Sequence, residues 1–262
     1  MINLLPAIDF HCHFNSGTKK EQQTSEIYKC DLEFLMSERK RLNVIAAFMS
    51  SFGSILEQGS AVSENEALER LVTERDDVFE WAVLDPRLDG CFEQVDRQLA
   101  NVKVAGIKIH SCIHGYPIEE YADAIFGFAN ERGAAVLMHP DNIEKMVEYA
   151  DKYQKMKLII AHLGSLEHIE AISKAKYGNI YTDTSGIASS KNNVIEYAVE
   201  HIGADKIFFG TDTYSVAFQR GRIEFANISE EDKRKILFEN VIAFLRGVGK
   251  SDTAEKVEIL TK

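Results

Sequence analysis

Near the N-terminus of this 262-residue chain stands DFHCH, residues 9–13: two histidines one residue apart, with an aspartate two before the first. On an extended segment, side chains two apart share a face, so Asp9, His11 and His13 are expected on one side and Phe10 and Cys12 on the other. Comparable polar groups close other short apolar runs: Lys108 and His110 in AGIKIH, His139 in AAVLMH, His162 in KLIIAHLG, Asp183 in NIYTDTSG and Asp212 in KIFFGTD. Imidazoles and carboxylates bind divalent metals and move protons near neutral pH. Each residue alone also has an ordinary reading. A strand histidine is commonly a hydrogen-bonded core group, an aspartate after a strand commonly caps a helix, and a lone lysine can snorkel. His168 and His201 fall on helical stretches and read as surface residues. The set acquires chemical meaning only if one fold gathers it.

The elements that must do so are legible as an alternation. Eight apolar runs, at 6–13, 43–50, 79–85, 105–110, 134–139, 157–164, 179–186 and 206–212, are rich in Ile, Val, Leu, Phe or Ala and too short for helices. Such runs suit strands buried on both faces. Between them lie amphipathic stretches, among them 64–75, 118–132 and 229–245, where Ser229 and Asp232 nearly form a capping box. Gly133, Gly178 and Gly203 fall where helices should stop. Strand and helix alternating eight times is the pattern of a (β/α)8 TIM barrel, here one domain over residues 1–262; an open doubly wound sheet is the alternative. No glycine-rich nucleotide fingerprint follows any strand. Long connections at about 14–30, 51–62 and 213–228 follow strands and so belong to the C-terminal face, where barrel active sites form. Barrel closure points the polar strand ends at one small volume. Burying so many ionisable groups without a partner is costly, and a divalent Zn, Mn, Fe or Co ion supplies that partner.

HCH, GIKIH, MHP, AHLG, YTDTSG and FFGTD, in that order, resemble the amidohydrolase superfamily. More narrowly they are similar to its amidohydrolase-related branch, which holds TIM-barrel hydrolases together with aminocarboxymuconate-semialdehyde and resorcylate decarboxylases. ISEEDKRKILFENVIAFL resembles that branch's closing helix, so the likeness runs from residue 9 to about 245. The resemblance implies that His11, His13, His139 and Asp212 bind one divalent metal, usually zinc, with water in the open position. It implies that His162 orients or deprotonates that water, and that Asp212 can also shuttle a proton. Asp9 and Asp183 would stand behind the ligands, Asp9 orienting a histidine. In binuclear members a strand-4 lysine is carboxylated and bridges two metals. In this branch one metal is usual, and Lys108 reads as a free cation holding a substrate carboxylate or an oxyanion. His110 could line the same pocket, and Arg220 and Arg222, in the long segment after strand 8, could clamp an anionic group.

Four functions are compatible with these residues. The leading one is metal-dependent hydrolysis of a small, carboxylate-bearing molecule. The second is non-oxidative decarboxylation of an aromatic or unsaturated acid on the same centre, although the chain is shorter than expected for those decarboxylases. A TatD-type deoxyribonuclease shares the HxH start and late TD but carries a strand-4 glutamate where this chain has GIKIH. An inactive metal-binding scaffold gives no reason to keep His162. A net charge of −11 argues against a nucleic-acid partner. Four cysteines without CxxC spacing point to a reducing compartment, and no apolar run approaches 18 residues, so the chain reads as cytoplasmic and off the membrane. A homodimer is what the resemblance suggests.

Overall fold

Because the eight apolar runs are hydrophobic on both faces, each must be covered on both, and a closed parallel barrel ringed by helices does this. The computed structural model describes residues 4–16, 29–56, 59–213 and 215–261. Its strands are β1 (Ala7–Phe14), β2 (Val44–Ser51), β3 (Val78–Val83), β4 (Val104–Ile109), β5 (Ala135–Met138), β6 (Lys157–Ile160), β7 (Ile180–Asp183) and β8 (Ile207–Phe208). They lie in sequence order in one sheet, all parallel. The chain just after β8 closes the ring on β1. Phe10 N–H donates to Phe209 O (2.9 Å), His13 N–H to Asp212 O (3.0 Å), and the amides of Thr211 and Asp212 both donate to His11 O.

Inside the barrel, Ile8, Phe10, Phe48, Trp81, Leu137 and Phe208 form a dry plug. Phe10 meets Phe48 and Trp81 edge-on at 4.8 and 5.0 Å, and Trp81 Nε1–H donates to Phe10 O at 2.7 Å. Such aromatic pairs add about 0.5–1.5 kcal/mol each beyond their buried area. The last two helices, Asn240–Gly247 and Ser251–Leu260, send Val241, Leu245 and Val257 into the same cluster. This plug is the floor on which the polar mouth rests. Ser229 caps the closing helical segment, its Oγ accepting from Asp232 N–H at 3.0 Å.

β1 departs from simple alternation. Asp9 pairs with Ala47 and Cys12 with Met49, three steps on β1 against two on β2, which is a bulge. Phe10 and His11 therefore both turn inward, Cys12 packs outward beside Leu35 and Met36, and His13 returns to the mouth. Asp9, expected beside the histidines, instead faces outward to the helix Leu32–Arg41. Of the long connections, 51–62 contains a helix, Phe52–Leu56, and 213–228 contains another, Val216–Glu224. In the connection at 14–30, residues 17–28 lie outside the described residues. No helix among those described is long and apolar enough to cross a membrane.

Candidate active site

At the C-terminal ends of the strands, contacts run from one polar group to the next around the mouth. His11 Nδ1 lies 2.8 Å from Asp183 Oδ2, and His11 Nε2 lies 2.9 Å from Lys108 Nζ and 3.3 Å from His13 Nε2. His13 Nε2 is 3.5 Å from Asp212 Oδ1. On the far side, His162 Nε2 is 3.1 Å from His139 Nδ1, and the His139 ring stacks on His110 with centroids 4.1 Å apart.

The acceptors in this chain of contacts constrain the tautomers. His11 Nδ1 faces the Asp183 carboxylate and so carries the hydrogen, while His13 Nδ1 faces both the Ser50 carbonyl (3.3 Å) and the Ser50 hydroxyl (2.9 Å). The His11 Nε2 lone pair then faces His13 Nε2 across 3.3 Å. Positive charge is favoured where these ring nitrogens and the Asp212 carboxylate converge. Lys108 supplies some, and a divalent ion would fit the same donors. By the same reasoning His162 Nδ1–H donates toward Ser185 O at 3.2 Å, which leaves a lone pair on His162 Nε2. His139 Nδ1–H donates to that lone pair, leaving His139 Nε2 as an acceptor.

Electrostatics keep the imidazoles of His13, His110, His139 and His162 in the ligating form. Burial, reinforced by Lys108 and the neighbouring rings, holds His13 well below the ordinary histidine range. Burial brings His139 down to about 3 and also lowers His110 and His162. For Asp183 burial pushes upward, but His11 beside it, with His162 and Ser185, outweighs that and holds the carboxyl below its usual range. Burial takes Lys108 down to about 8 against the pull of Asp183 and Asp212.

The backbone is unusual at two of these residues. Among described non-glycine residues only Asn43, His162 and Asp212 have positive φ, and the latter two bear side chains that face the site (φ 63° and 56°). Left-handed conformations at such residues are maintained only by surrounding structure. Close approach is also built in. A Cβ at Gly210 would stand 3.1 Å from His11 Cβ, and one at Gly186, where φ is +67°, 2.9 Å from His162 Nδ1.

Among the described residues three groups of donors gather within 4.8 Å: His11, His13 and Asp212; His11, His162 and Asp183; and His110, Cys112 and His139. His139, which the resemblance joins to the first group, thus stands in the third. Other expected residues lie elsewhere. Asp9 Oδ2 accepts from Arg39 Nε (3.0 Å), Arg39 Nη2 (2.5 Å) and Thr211 Oγ1 (2.6 Å), and Oδ1 accepts from Thr211 N–H (3.0 Å). It braces the turn that carries Asp212 rather than orienting a histidine. Arg220 is buried on the helix Val216–Glu224 and donates to Leu5 O and Asn43 O, which precede β1 and β2 at the opposite end of the barrel. Arg222 donates to the carbonyls of Lys191 and Ala188. Neither is a clamp for an anion, because backbone acceptors already engage both. His168, read as a surface residue, is buried with Nε2 3.3 Å from Thr182 Oγ1.

Sequence reasoning missed Arg39, Thr211, Ser50 and Ser185. Ser185 touches His11 Nδ1 (3.0 Å), His162 Nδ1 (2.9 Å) and Asp183, and so ties three strands together. Its one signal was its place two residues after Asp183, the span of an Asx-type turn in which Ser185 N–H reaches Asp183 Oδ1 at 2.9 Å.

Solved structures with this fold include a dihydroxybenzoic acid decarboxylase from Polaromonas sp. JS666 with bound manganese and the inhibitor 2-nitroresorcinol (TM-score 0.72, 14% identity, covering 94% of this chain and 97% of that one). A 2,6-dihydroxybenzoate decarboxylase from Rhizobium is equally similar (TM-score 0.72, 15% identity, 94% and 99%). A protein from Pseudomonas putida provisionally assigned as a 2-pyrone-4,6-dicarboxylic acid hydrolase follows (TM-score 0.69, 16% identity, 94% and 98%). At these identities the likeness is one of fold. No curated protein matches the chain in sequence. The sequence does match the amidohydrolase family profile over residues 8–247, and with the barrel complete across that span the chain belongs to the amidohydrolase family.

Proposed function

We propose that this chain is a metal-dependent hydrolase of a small, carboxylate-bearing molecule, working at the barrel mouth. The observation that carries the reading is the convergence of His11 Nε2 and His13 Nε2, 3.3 Å apart, beside the Asp212 carboxylate. Two neutral imidazoles and a carboxylate suit zinc or manganese. A divalent ion held by His11, His13 and Asp212, with His139 available to complete the set, would supply Lewis acidity to water or to a substrate oxygen.

The chain's own groups supply the rest. Asp183 fixes the tautomer and direction of His11 through its bond to Nδ1. His162 Nε2 offers a lone pair to the mouth and accepts the proton released as water adds to the substrate; its depressed basicity lets it hand that proton on to the leaving group. Before it can act, the hydrogen bond from His139 Nδ1–H must open, which follows if His139 turns toward His11 and His13. Lys108, buried beside His11, places a positive charge where a substrate carboxylate or a developing oxyanion would sit.

Decarboxylation is the second reading, and the solved relatives that are decarboxylases favour it. The same residues would then hold the acid, and a proton-donating His162 would protonate the carbon that loses CO2. Elemental analysis of metal-supplemented protein should find a divalent ion that the His11→Ala/His13→Ala variant lacks. A metal-free wild type would end both readings. A screen of small carboxylic acids, followed by acid release and by trapped CO2, separates them: CO2 from a turned-over substrate would overturn hydrolysis.

A further inference from the structure

Of the third donor group, neither reading uses His110 or Cys112. Cys112 opens no catalytic role above, yet its Sγ lies 3.3 Å from His110 Nδ1, and both stand with a ring nitrogen of His139 inside 4.8 Å. Ligand atoms sharing one tetrahedral zinc lie roughly 3.3–3.6 Å apart, so the His110–Cys112 edge already has that length. His110 and His139 are stacked at 15° with 4.1 Å between centroids, and a modest tilt of either ring brings the third donor in. The hydrogen-bond pattern has already assigned the free lone pair of His139 to Nε2, since Nδ1–H is engaged by His162. The short helix Ser111–His114 presents Cys112 at the surface, whereas Cys12, Cys30 and Cys91 are buried.

We propose that His110, Cys112 and His139 form a second cation site, distinct from the His11–His13–Asp212 centre and selective for a thiophilic divalent ion such as Zn2+ or Co2+. One thiolate and two imidazoles are soft-to-borderline donors, which excludes Mg2+ and Ca2+ as the occupant. Binding deprotonates the thiol, so each ion taken up here releases the Cys112 proton to solvent. The two sites share His139. An ion in the second holds His139 away from the first, so filling it opposes completion of the centre proposed above.

Titrating metal-free protein with Co2+ tests this directly. Wild type should bind two equivalents and develop near-ultraviolet thiolate-to-cobalt absorption with release of a proton. Cys112→Ser should lose the absorption and one equivalent. The His11→Ala/His13→Ala variant should keep the absorption while losing the other equivalent. Absorption missing from wild type, persisting in Cys112→Ser, or lost with His11 and His13 overturns the proposal. A single equivalent that carries the thiolate absorption supports this site and counts against the other centre, so the two failures are distinguishable. A second measurement needs no variant: Zn2+ should slow iodoacetamide alkylation of Cys112 in wild type at least tenfold, read by peptide mass, and unchanged alkylation overturns the site.

Discussion

This barrel buries carboxylates in two regions and treats them in opposite ways. At the mouth, Asp183 receives His11, Ser185 and the His162 amide, and its carboxyl is held below the usual range although it is fully enclosed. Behind it Asp9 is bonded to Arg39 and Thr211. On the flank of β3, Glu80 is equally enclosed but meets only Gln98 Nε2, at 3.2 Å, while its Oε2 has no partner among the described residues. Burial, with nearby Glu69, pushes Glu80 up to about 8. Arg97 pulls it down too weakly to compensate, and a buried acid without an adjacent cation becomes neutral. Sustained negative charge at the mouth therefore requires a dense set of donors, and assembling such a set beside converging imidazoles is what a metal centre demands. The contrast can be broken from either side.

The largest effect is expected within the mouth itself. His162→Asn keeps a polar group but removes the proton acceptor, so turnover should fall by about 10²–10⁴-fold. Its metal content should stay at the wild-type value by elemental analysis, because His11, His13 and Asp212 are untouched. Undiminished turnover would remove His162 from the chemistry; lost metal would make it a ligand instead.

Arg39→Met comes next. It strands the Asp9 carboxylate inside the protein, and breaking a buried pair from one side costs about 3–5 kcal/mol. The urea midpoint should drop accordingly, and the double variant Arg39→Met/Asp9→Leu should recover most of the loss. A double variant as unstable as the single would mean that packing, not charge, is what Arg39 supplies. Smaller still is Asp183→Asn. The amide cannot hold His11 with the same bias, so metal affinity should weaken about 10–100-fold, measured by competition with a chelator. Unchanged affinity would show that Ser185 alone orients the ring.

These residues also mark how far the sequence could be read. The eight strands were legible because two-sided burial leaves continuous apolar runs: 43–50 became Val44–Ser51 and 105–110 became Val104–Ile109. The histidines and Asp212 were legible because ionisable groups at the ends of such runs are rare. Asp9 was misplaced for a physical reason. The alternation rule holds only for unbroken pleating, and the bulge between Asp9 and Cys12 belongs to pairing with β2, not to β1 itself. Arg39 was invisible because an arginine in an amphipathic helix, LEFLMSERKR, looks like its solvated neighbours Lys40 and Arg41. Arg220 and Arg222 failed as anion clamps because which end of the barrel an arginine reaches is a tertiary fact. The left-handed backbone at His162 and Asp212 has no local signature, since neither residue type demands it.

The remaining prediction works from the other region. Between pH 4.5 and about 8 the folded protein retains a proton on Glu80 that the unfolded chain has released. Stability must then fall as pH rises through that window, because the native state binds more protons than the denatured one. Glu80→Gln removes the titration while keeping the shape and the contact with Gln98. The variant should gain on wild type steadily from pH 4.5 to pH 8, by more than about 1 kcal/mol in all. The amide leaves a buried polar atom without a partner at every pH, which offsets the two curves without changing how they diverge. Urea midpoints measured across the window decide it. A parallel pH dependence in both proteins would mean that Glu80 is ionised where it stands, and that a cation is not what separates the mouth from the flank.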